Sequence, residues 1–467
     1  MIKNLVILLL LIPFEIFGQG KVNHLFEELP SDSTYHNDLT SHTSLKPIIN
    51  YDPSPSKKLI LNGLADMNAS YDTSFAYRAG LGLEIDYMPT SKWHIRLAAV
   101  QGYGNQQPGV YPKSFLRFDD PSGYGYTDIR SRMSFTPNKF FNFQIGLDHN
   151  FIGEGSRSLL LSDYGTSYPF ALIRTHFWRL EYNVMYQFLR EGSPGHWDSK
   201  FAATHHLSFN ASKWLNIGLF ESVLFQPVDT NLRRGFDVEY LNPVIFYRPQ
   251  EYSLGSSDNV IMGIDLSAKF ANHTLYGQFV IDEFSLTELK AKSGWWANKY
   301  GAQLGVKGHY LNNTLFSRLE YNFMRPYTFS HISEALNYGN QGYPISHPYG
   351  ANFMEILAEL KYQKEKLLLK LFANYVLTGL DHNGYSYGGN IYQNYANHPN
   401  EFGNFIGQGI QQNRAKIMIT GAYQLLKNGK LNVFVENHFN FIAQNNQMSY
   451  QVVAGVRSFL WNDYRNY

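Results

Sequence analysis

The stretch "FAYRAGLGLEIDY", Phe75 to Tyr87, alternates from end to end. Phe75, Tyr77, Ala79, Leu81, Leu83, Ile85 and Tyr87 fall on one face of an extended chain, and Arg78, Gly80, Gly82, Glu84 and Asp86 fall on the other. Side chains of a β-strand point to opposite faces with a period of two, so this segment is a strand with one apolar, aromatic-tipped side and one charged side. The layout recurs at Trp178, Leu180, Tyr182, Val184, Tyr186 and Phe188 against Arg179, Glu181, Asn183 and Gln187. It appears again at Leu315, Leu319, Tyr321 and Phe323 against Arg318, Glu320 and Asn322, and near the end at Tyr450, Val452, Ala454 and Val456 against Gln451, Gly455 and Arg457. These runs are roughly ten to thirteen residues long, enough to cross a bilayer at a tilt, and about twice the length of an ordinary globular strand.

The connections alternate in size. Tight polar turns occur at Pro89–Lys92, Pro137–Lys139, Ala211–Lys213, Asn272–His273, Asn312–Asn313, Gln363–Lys366 and Lys427–Lys430. Long segments rich in Gly, Tyr, Pro and Asn lie between them: Gly104–Ser122, Phe225–Asp258, Pro326–Gly350 and Gly379–Gln411. Short periplasmic turns facing long outer loops are the asymmetry of a bacterial outer-membrane barrel. Strand starts fall near Lys58, Phe75, Trp93, Gly123, Phe140, Phe170, Arg179, Lys200, Trp214, Asn259, Thr274, Asn298, Thr314, Asn352, Leu367, Asn413, Leu431 and Ser449. The fold class is therefore all-β, a transmembrane antiparallel barrel of about eighteen strands with both termini in the periplasm.

Composition agrees. Of 467 residues, 34 are Tyr and 34 Phe, and charged residues make up only 16%, against about a quarter in ordinary soluble proteins. A net charge of +1 points to no nucleic-acid partner, and the absence of Cys excludes disulfides and thiolate metal sites. Residues 1–20 combine Lys3, an apolar run from Leu5 to Phe17 and a small-residue end at Gly18–Gly20, the pattern of a signal peptide removed on export. Residues 21–57, with Pro30, Pro47, Pro53 and Pro55, read as an extended periplasmic segment, and 58–467 as the barrel. The expected location is the cell outer membrane, in contact with its lipid.

The polar faces carry both signs, among them Arg78, Glu84, Asp86, Arg96, Asp128, Arg130, Arg132, Glu181, Arg318, Glu320, Glu359 and Lys361. Mixed charges at this density pair across an interior, which predicts a narrowed or plugged lumen. Two segments break the alternation. Gly153–Asp163 has Leu159, Leu160 and Leu161 at its centre, too apolar for an exposed loop, and reads as a short helix or turn folded inward. Arg234–Gly255 has the same character. The third and fifth outer loops are thus expected to pack into the barrel mouth.

These two segments also carry a family likeness. "RSLLLSD" at Arg157–Asp163, followed by Pro169, and "NPVIFYRPQEYSLGSSDN" at Asn242–Asn259 resemble signature segments of the Wzi-type capsule assembly proteins and the related gliding-motility protein RemB. The resemblance implies an eighteen-stranded barrel that holds capsular polysaccharide at the cell surface, or, in the RemB-like branch, one linked to surface motility. Capsule-type members carry a small periplasmic helical bundle. Lys21–Ser56 is short and Pro-rich, which favours the RemB-like branch. Implied partners are a surface polysaccharide and motility or secretion machinery.

Arg157, Asp163, Arg248 and Glu251 are the expected anchors of the inward loops and contacts for a ligand, with Tyr247, Trp295 and Trp296 as further ligand candidates. Sugars offer apolar ring faces for aromatic stacking and hydroxyls for planar polar groups, and Tyr338, Tyr343, Tyr349, Tyr385, Tyr387, Tyr392 and Tyr395 also fall in outer loops. His149, His205, His206, His309, His382 and His438, with Asp163 and Asp381, supply material for hydrolysis, but none stands in a nucleophile or HExxH arrangement. No catalysis, cofactor or metal is expected. Asp381–Gly384 reads as a turn rather than a calcium loop, since the downstream carboxylate is missing. A diffusion porin and a barrel-embedded hydrolase remain as rival classes.

Overall fold

The computed structural model describes residues 58–105, 117–120, 123–193, 196–228, 235–236, 238–242, 258–426 and 431–458. The expected signal peptide and the segment after it lie outside these residues. Among those described, 18 long strands close into one antiparallel barrel. They are β1 (Lys58–Tyr71), β2 (Phe75–Thr90), β3 (Trp93–Gly104), β4 (Gly123–Phe135), β5 (Phe141–Asp148), β6 (Tyr168–Phe177), β7 (Leu180–Ser193), β8 (His196–Asn210) and β9 (Leu215–Phe225). The other half is β10 (Asn259–Phe270), β11 (His273–Ile281), β12 (Tyr300–Tyr310), β13 (Leu315–Met324), β14 (Phe353–Lys364), β15 (Leu367–Leu380), β16 (Ile410–Gln424), β17 (Asn432–Ile442) and β18 (Gln447–Arg457). Each pairs with its neighbour in sequence, and β1 pairs with β18 to shut the ring, Asp66 opposite Arg457 and Tyr71 opposite Val452. No helix among the described residues is long and apolar enough to cross a membrane. A closed sheet satisfies every backbone hydrogen bond in lipid without one.

The alternation read from Phe75–Tyr87 becomes the barrel wall. Arg78, Glu84 and Asp86 are buried inside, whereas Leu83, Phe143, Ile145, Leu304, Leu319, Ile356, Leu369 and Ile419 face outward. Aromatic pairs ring both rims: Trp93 on Phe135, Trp178 on Phe209 and Trp214 on Phe270 at the short-turn end, and Phe75 with Tyr77, Phe279 with Tyr300 and Phe439 with Tyr450 at the other. Amphipathic rings prefer the two membrane–water boundaries, so the band between these girdles is the lipid-facing belt. The strands run from 8 residues in β5 to 16 in β2, where the sequence suggests roughly ten to thirteen.

Inside, charges pair as expected. Arg96 bridges Glu84 at 3.0 Å and Asp86 at 3.2 Å. Arg318 meets Glu359, its register partner on β14, at 2.6 Å. Arg174 pairs with Glu181, and Arg132 with Asp148. One position is unusual: Lys307 and Arg318 are direct cross-strand partners of the same sign, a destabilising arrangement unless each has its own counter-charge. Glu359 serves Arg318. The counter-charge of Lys307 comes from a loop.

Four Asn-x-Ser/Thr sequences, at Asn68, Asn210, Asn272 and Asn312, read as turns from composition; Asn272 and Asn312 lie in turns and Asn210 ends β8, but Asn68 sits within β1 with its side chain turned into the lumen.

Candidate functional site

The third outer loop, residues 149–167, leaves the β5–β6 hairpin and crosses the lumen. It forms no helix. It is a bent excursion pinched by a bridge between Ile152 and Leu161. Its tip reaches β11 to β15, which stand opposite β5 and β6 in a ring of 18 strands. There Glu154 pairs with Lys307 at 2.6 Å, supplying the missing counter-charge. The Ser156 and Arg157 N–H groups donate to the two oxygens of Glu320 at 2.7 and 3.3 Å. The Gln303 amide donates to the Arg157 carbonyl at 2.9 Å, and Gln278 both donates to the Ile152 carbonyl and accepts from the Leu159 N–H. Arg157 is fully buried, its Nε 3.7 Å from Glu355 Oε2 and its guanidinium over the Phe372 ring. Gly155 is required at the tip, because a Cβ there would lie 2.6 Å from Glu320 Oε2 and 2.5 Å from the Arg157 carbonyl oxygen.

The seventh outer loop, residues 325–352, lies over the third. Tyr338 O–H donates to the Leu160 carbonyl at 2.7 Å, the Ser162 N–H donates to the Ile345 carbonyl at 2.9 Å, and Asn340 reaches Thr166 at 2.7 Å. Its far side is tied to the wall by Lys200 on β8, whose ammonium donates to Glu191, the Asn337 carbonyl and the Asn337 side chain at 3.0, 2.9 and 2.8 Å. His347 lies 2.8 Å from Glu355, on the carboxylate that also faces Arg157, and burial pulls its imidazole below the usual histidine range. Between the loops and the wall lies an apolar layer: Ile152, Leu159, Leu160 and Leu161 from the third loop, Phe329, Tyr338 and Ile345 from the seventh, and Met185, Leu189, Leu224, Val280 and Met324 from the strands. Each fully buried leucine contributes about 1.5–3 kcal/mol of transfer free energy, so the leucine run is what draws this loop out of water. The seventh loop is the half of the plug that sequence reasoning missed. Its apolar residues stand singly among Gly, Asn and Pro, without a period.

The fifth loop departs from the expectation that it enters the mouth. In its described part Tyr240 packs on Phe225 at 4.6 Å and donates to Asp258 at 2.6 Å, and Phe236 joins Val184, Tyr186, Ala203 and Val223. These wall residues alternate with the lumen-facing Met185, Ala202 and Leu224, so this part covers the outer face of the wall. Tyr247, Arg248 and Glu251 lie outside the described residues. Asp163 is half-buried in the third loop.

Trp295 and Trp296 belong to the sixth loop, residues 282–299. Trp296 stacks on His398 at 4.5 Å and leans on Tyr395 at 4.9 Å, and its indole N–H donates to Glu401 at 3.0 Å, which joins the sixth loop to the eighth, residues 381–409. Lys299 points its ammonium at the Tyr395 ring, 3.9 Å from the centroid, and pairs with Glu283. Beside it, burial drives the Asp282 carboxyl up to about 7 in spite of Lys299, while Asp282 accepts the Phe329 N–H of the seventh loop at 2.8 Å.

A cleft of about 420 Å³ opens between the seventh and eighth loops, lined by Glu334, Asp381, His382, Gly384, Tyr385, Gln393, Asn394 and Asn397. Asp381–Gly384 is a turn here: Asn383 and Gly384 both have positive φ, 54° and 78°, as a type I′ turn requires, and His382 bridges to Tyr385. Asp381 accepts the Tyr387 N–H at 2.6 Å, and burial raises its carboxyl above the usual range.

A closed lumen-crossed barrel with lipid-facing belt and aromatic girdles defines the class: the protein is a multi-pass β-barrel of the outer membrane. Among solved structures it is similar to Wzi of Escherichia coli, with a TM-score of 0.56 at 12% identity over 85% of this chain and 84% of that one. It is also similar to OprD of Pseudomonas aeruginosa, with TM-score 0.46 and 9% identity over 88% and 99% of the chains, and to OpdK of the same organism, with 0.47 and 9% over 86% and 98%. No family model and no curated protein sequence matches the chain.

Proposed function

We propose that this protein holds polysaccharide at the outer surface as a plugged barrel, without catalysis, rather than passing solutes as a diffusion pore. The observation that carries the reading is the third loop. It spans the lumen from β5 to β14, sets Glu154 against a lysine whose cross-strand partner on β13 is an arginine, and shares an apolar layer with the seventh loop. A wet pore gains nothing from an apolar seal, whereas a barrel that serves as a platform for its outer loops does. Those loops present tyrosines, amides and carboxylates around a polar cleft, the composition that suits sugar hydroxyls. The Wzi structure is described as a carbohydrate-binding β-barrel involved in group 1 capsule assembly, and the shared fold makes that role the natural model.

The test is a deletion strain assayed for cell-bound against released polysaccharide, with surface spreading scored alongside for the motility branch. Loss of bound polysaccharide, restored by the wild-type gene, supports the reading. Unchanged retention together with slower uptake of small solutes overturns it in favour of a porin.

A further inference from the structure

The cleft between the seventh and eighth loops has a charge balance that narrows its ligand. Its lining contains two carboxylates, Glu334 and Asp381, and no lysine or arginine. Its frame is fixed from within: Asn397 donates to the Gly384 carbonyl at 2.6 Å, Asn394 donates to the Ile332 carbonyl at 2.8 Å and accepts from the Ala396 N–H at 2.7 Å, and His382 stacks on Tyr387 at 4.5 Å. Asn394 thereby ties the two loops together. What remains for a visitor is the Glu334 carboxylate, the Gln393 amide and the Tyr385 ring, which is 49% exposed and so offers a free face. A flat ring beside an amide and a carboxylate matches a pyranose, with its apolar face on the ring and adjacent hydroxyls donating to the carboxylate.

We propose that this cleft is a subsite for an uncharged, hydroxyl-rich sugar unit and discriminates against uronic acids and other anionic sugars. This rests on the polysaccharide-holding reading above. An anionic sugar about 4 Å from an exposed carboxylate meets a repulsion equivalent to roughly fivefold in affinity even in water-like surroundings, and more where the cleft excludes water.

The experiment uses the full-length protein in detergent or nanodiscs, with neutral oligosaccharides of glucose, galactose, mannose and N-acetylglucosamine and with oligouronates as probes, read by calorimetry. At least one neutral probe should bind, and Tyr385→Ala and Gln393→Ala should each weaken it by roughly tenfold while leaving the heat-modifiable gel shift of the folded barrel intact. Glu334→Gln should weaken the neutral probe, whose hydroxyls lose a charged acceptor, and shift the ratio of oligouronate to neutral affinity by at least roughly fivefold toward the oligouronate. Preferential oligouronate binding, or neutral binding untouched by both the Tyr385 and Gln393 variants, overturns the cleft as the site but leaves polysaccharide binding by the protein standing. Binding of no glycan at all brings down both.

Discussion

Replacing Arg157 with alanine should release the third loop from the far wall and leave the barrel folded. The guanidinium is fully buried, 3.7 Å from a Glu355 that is itself inaccessible and held on its other side by His347 and Asn374. Removing one member of a buried ion pair strands the other charge, at a cost of about 3–5 kcal/mol. His347 and Asn374 stay beside Glu355, so the lower end applies, about 3 kcal/mol, or roughly a hundredfold shift toward the released loop at 1.36 kcal/mol per tenfold. The backbone bonds of Ser156 and Arg157 to Glu320 survive the substitution, which keeps the loss from growing further. Little of this cost reaches the wall, because β13 and β14 remain joined along their whole register from Leu315–Tyr362 to Met324–Phe353. The assay is limited chymotrypsin digestion of protein in lipid nanodiscs, with cleavage mapped to Phe151–Tyr164, and the gel shift on heating as the control for an intact barrel. Cleavage should be at least tenfold faster than in the wild type. Equal rates, with an intact gel shift, would refute the claim that this pair holds the loop.

Gly155→Val should undock the same loop by a different route, since its branched side chain would overlap Glu320 and the Arg157 carbonyl, and the variant should show the same third-loop cleavage with Arg157 in place. Lys200→Met should loosen the seventh loop, because Asn337 loses two hydrogen bonds and Glu191 loses its counter-charge, keeping the Asn337 amide at 3.1 Å; the expected cost is about 3 kcal/mol, measured as faster proteolysis at residues 329–345. The Asp282 carboxyl is raised in the folded protein, from an unfolded value of 3.8 to about 7, so it favours the docked state fully below about pH 4 and progressively less as pH rises through 7. Seventh-loop proteolysis should therefore speed up between pH 6 and pH 8, and Asp282→Asn should flatten that dependence. Trp296→Ala should part the sixth and eighth loops, raising the hydrogen exchange of both together, because its ring and N–H are shared among Tyr395, His398 and Glu401.

The wall was legible in the sequence because lipid and lumen impose opposite demands on alternate residues, and 10 to 16 such residues in a row, as in β2 or β13, leave little room for another reading. Turns were legible where backbone chemistry speaks locally, as at Asn312–Asn313, both with positive φ. The third loop announced itself through three consecutive leucines that no outer loop could leave in water. What receives it did not: Gln278, Gln303, Glu320 and Glu355 look like any lumen-facing polar residues, and only the closed ring brings residues more than a hundred positions away to the loop tip. The cleft was opaque for the same reason. Tyr385 and Asp381 stood out as loop residues, but Glu334 meets them only because the seventh loop folds back over the mouth.

The plugged lumen is tested most directly by single-channel recording of the purified, refolded protein in planar bilayers. Insertion without a steady open level, and with currents appearing in Gly155→Val, is the result expected of a barrel sealed by its third and seventh loops. A stable ohmic current from the wild-type protein, unchanged by that substitution, would contradict it.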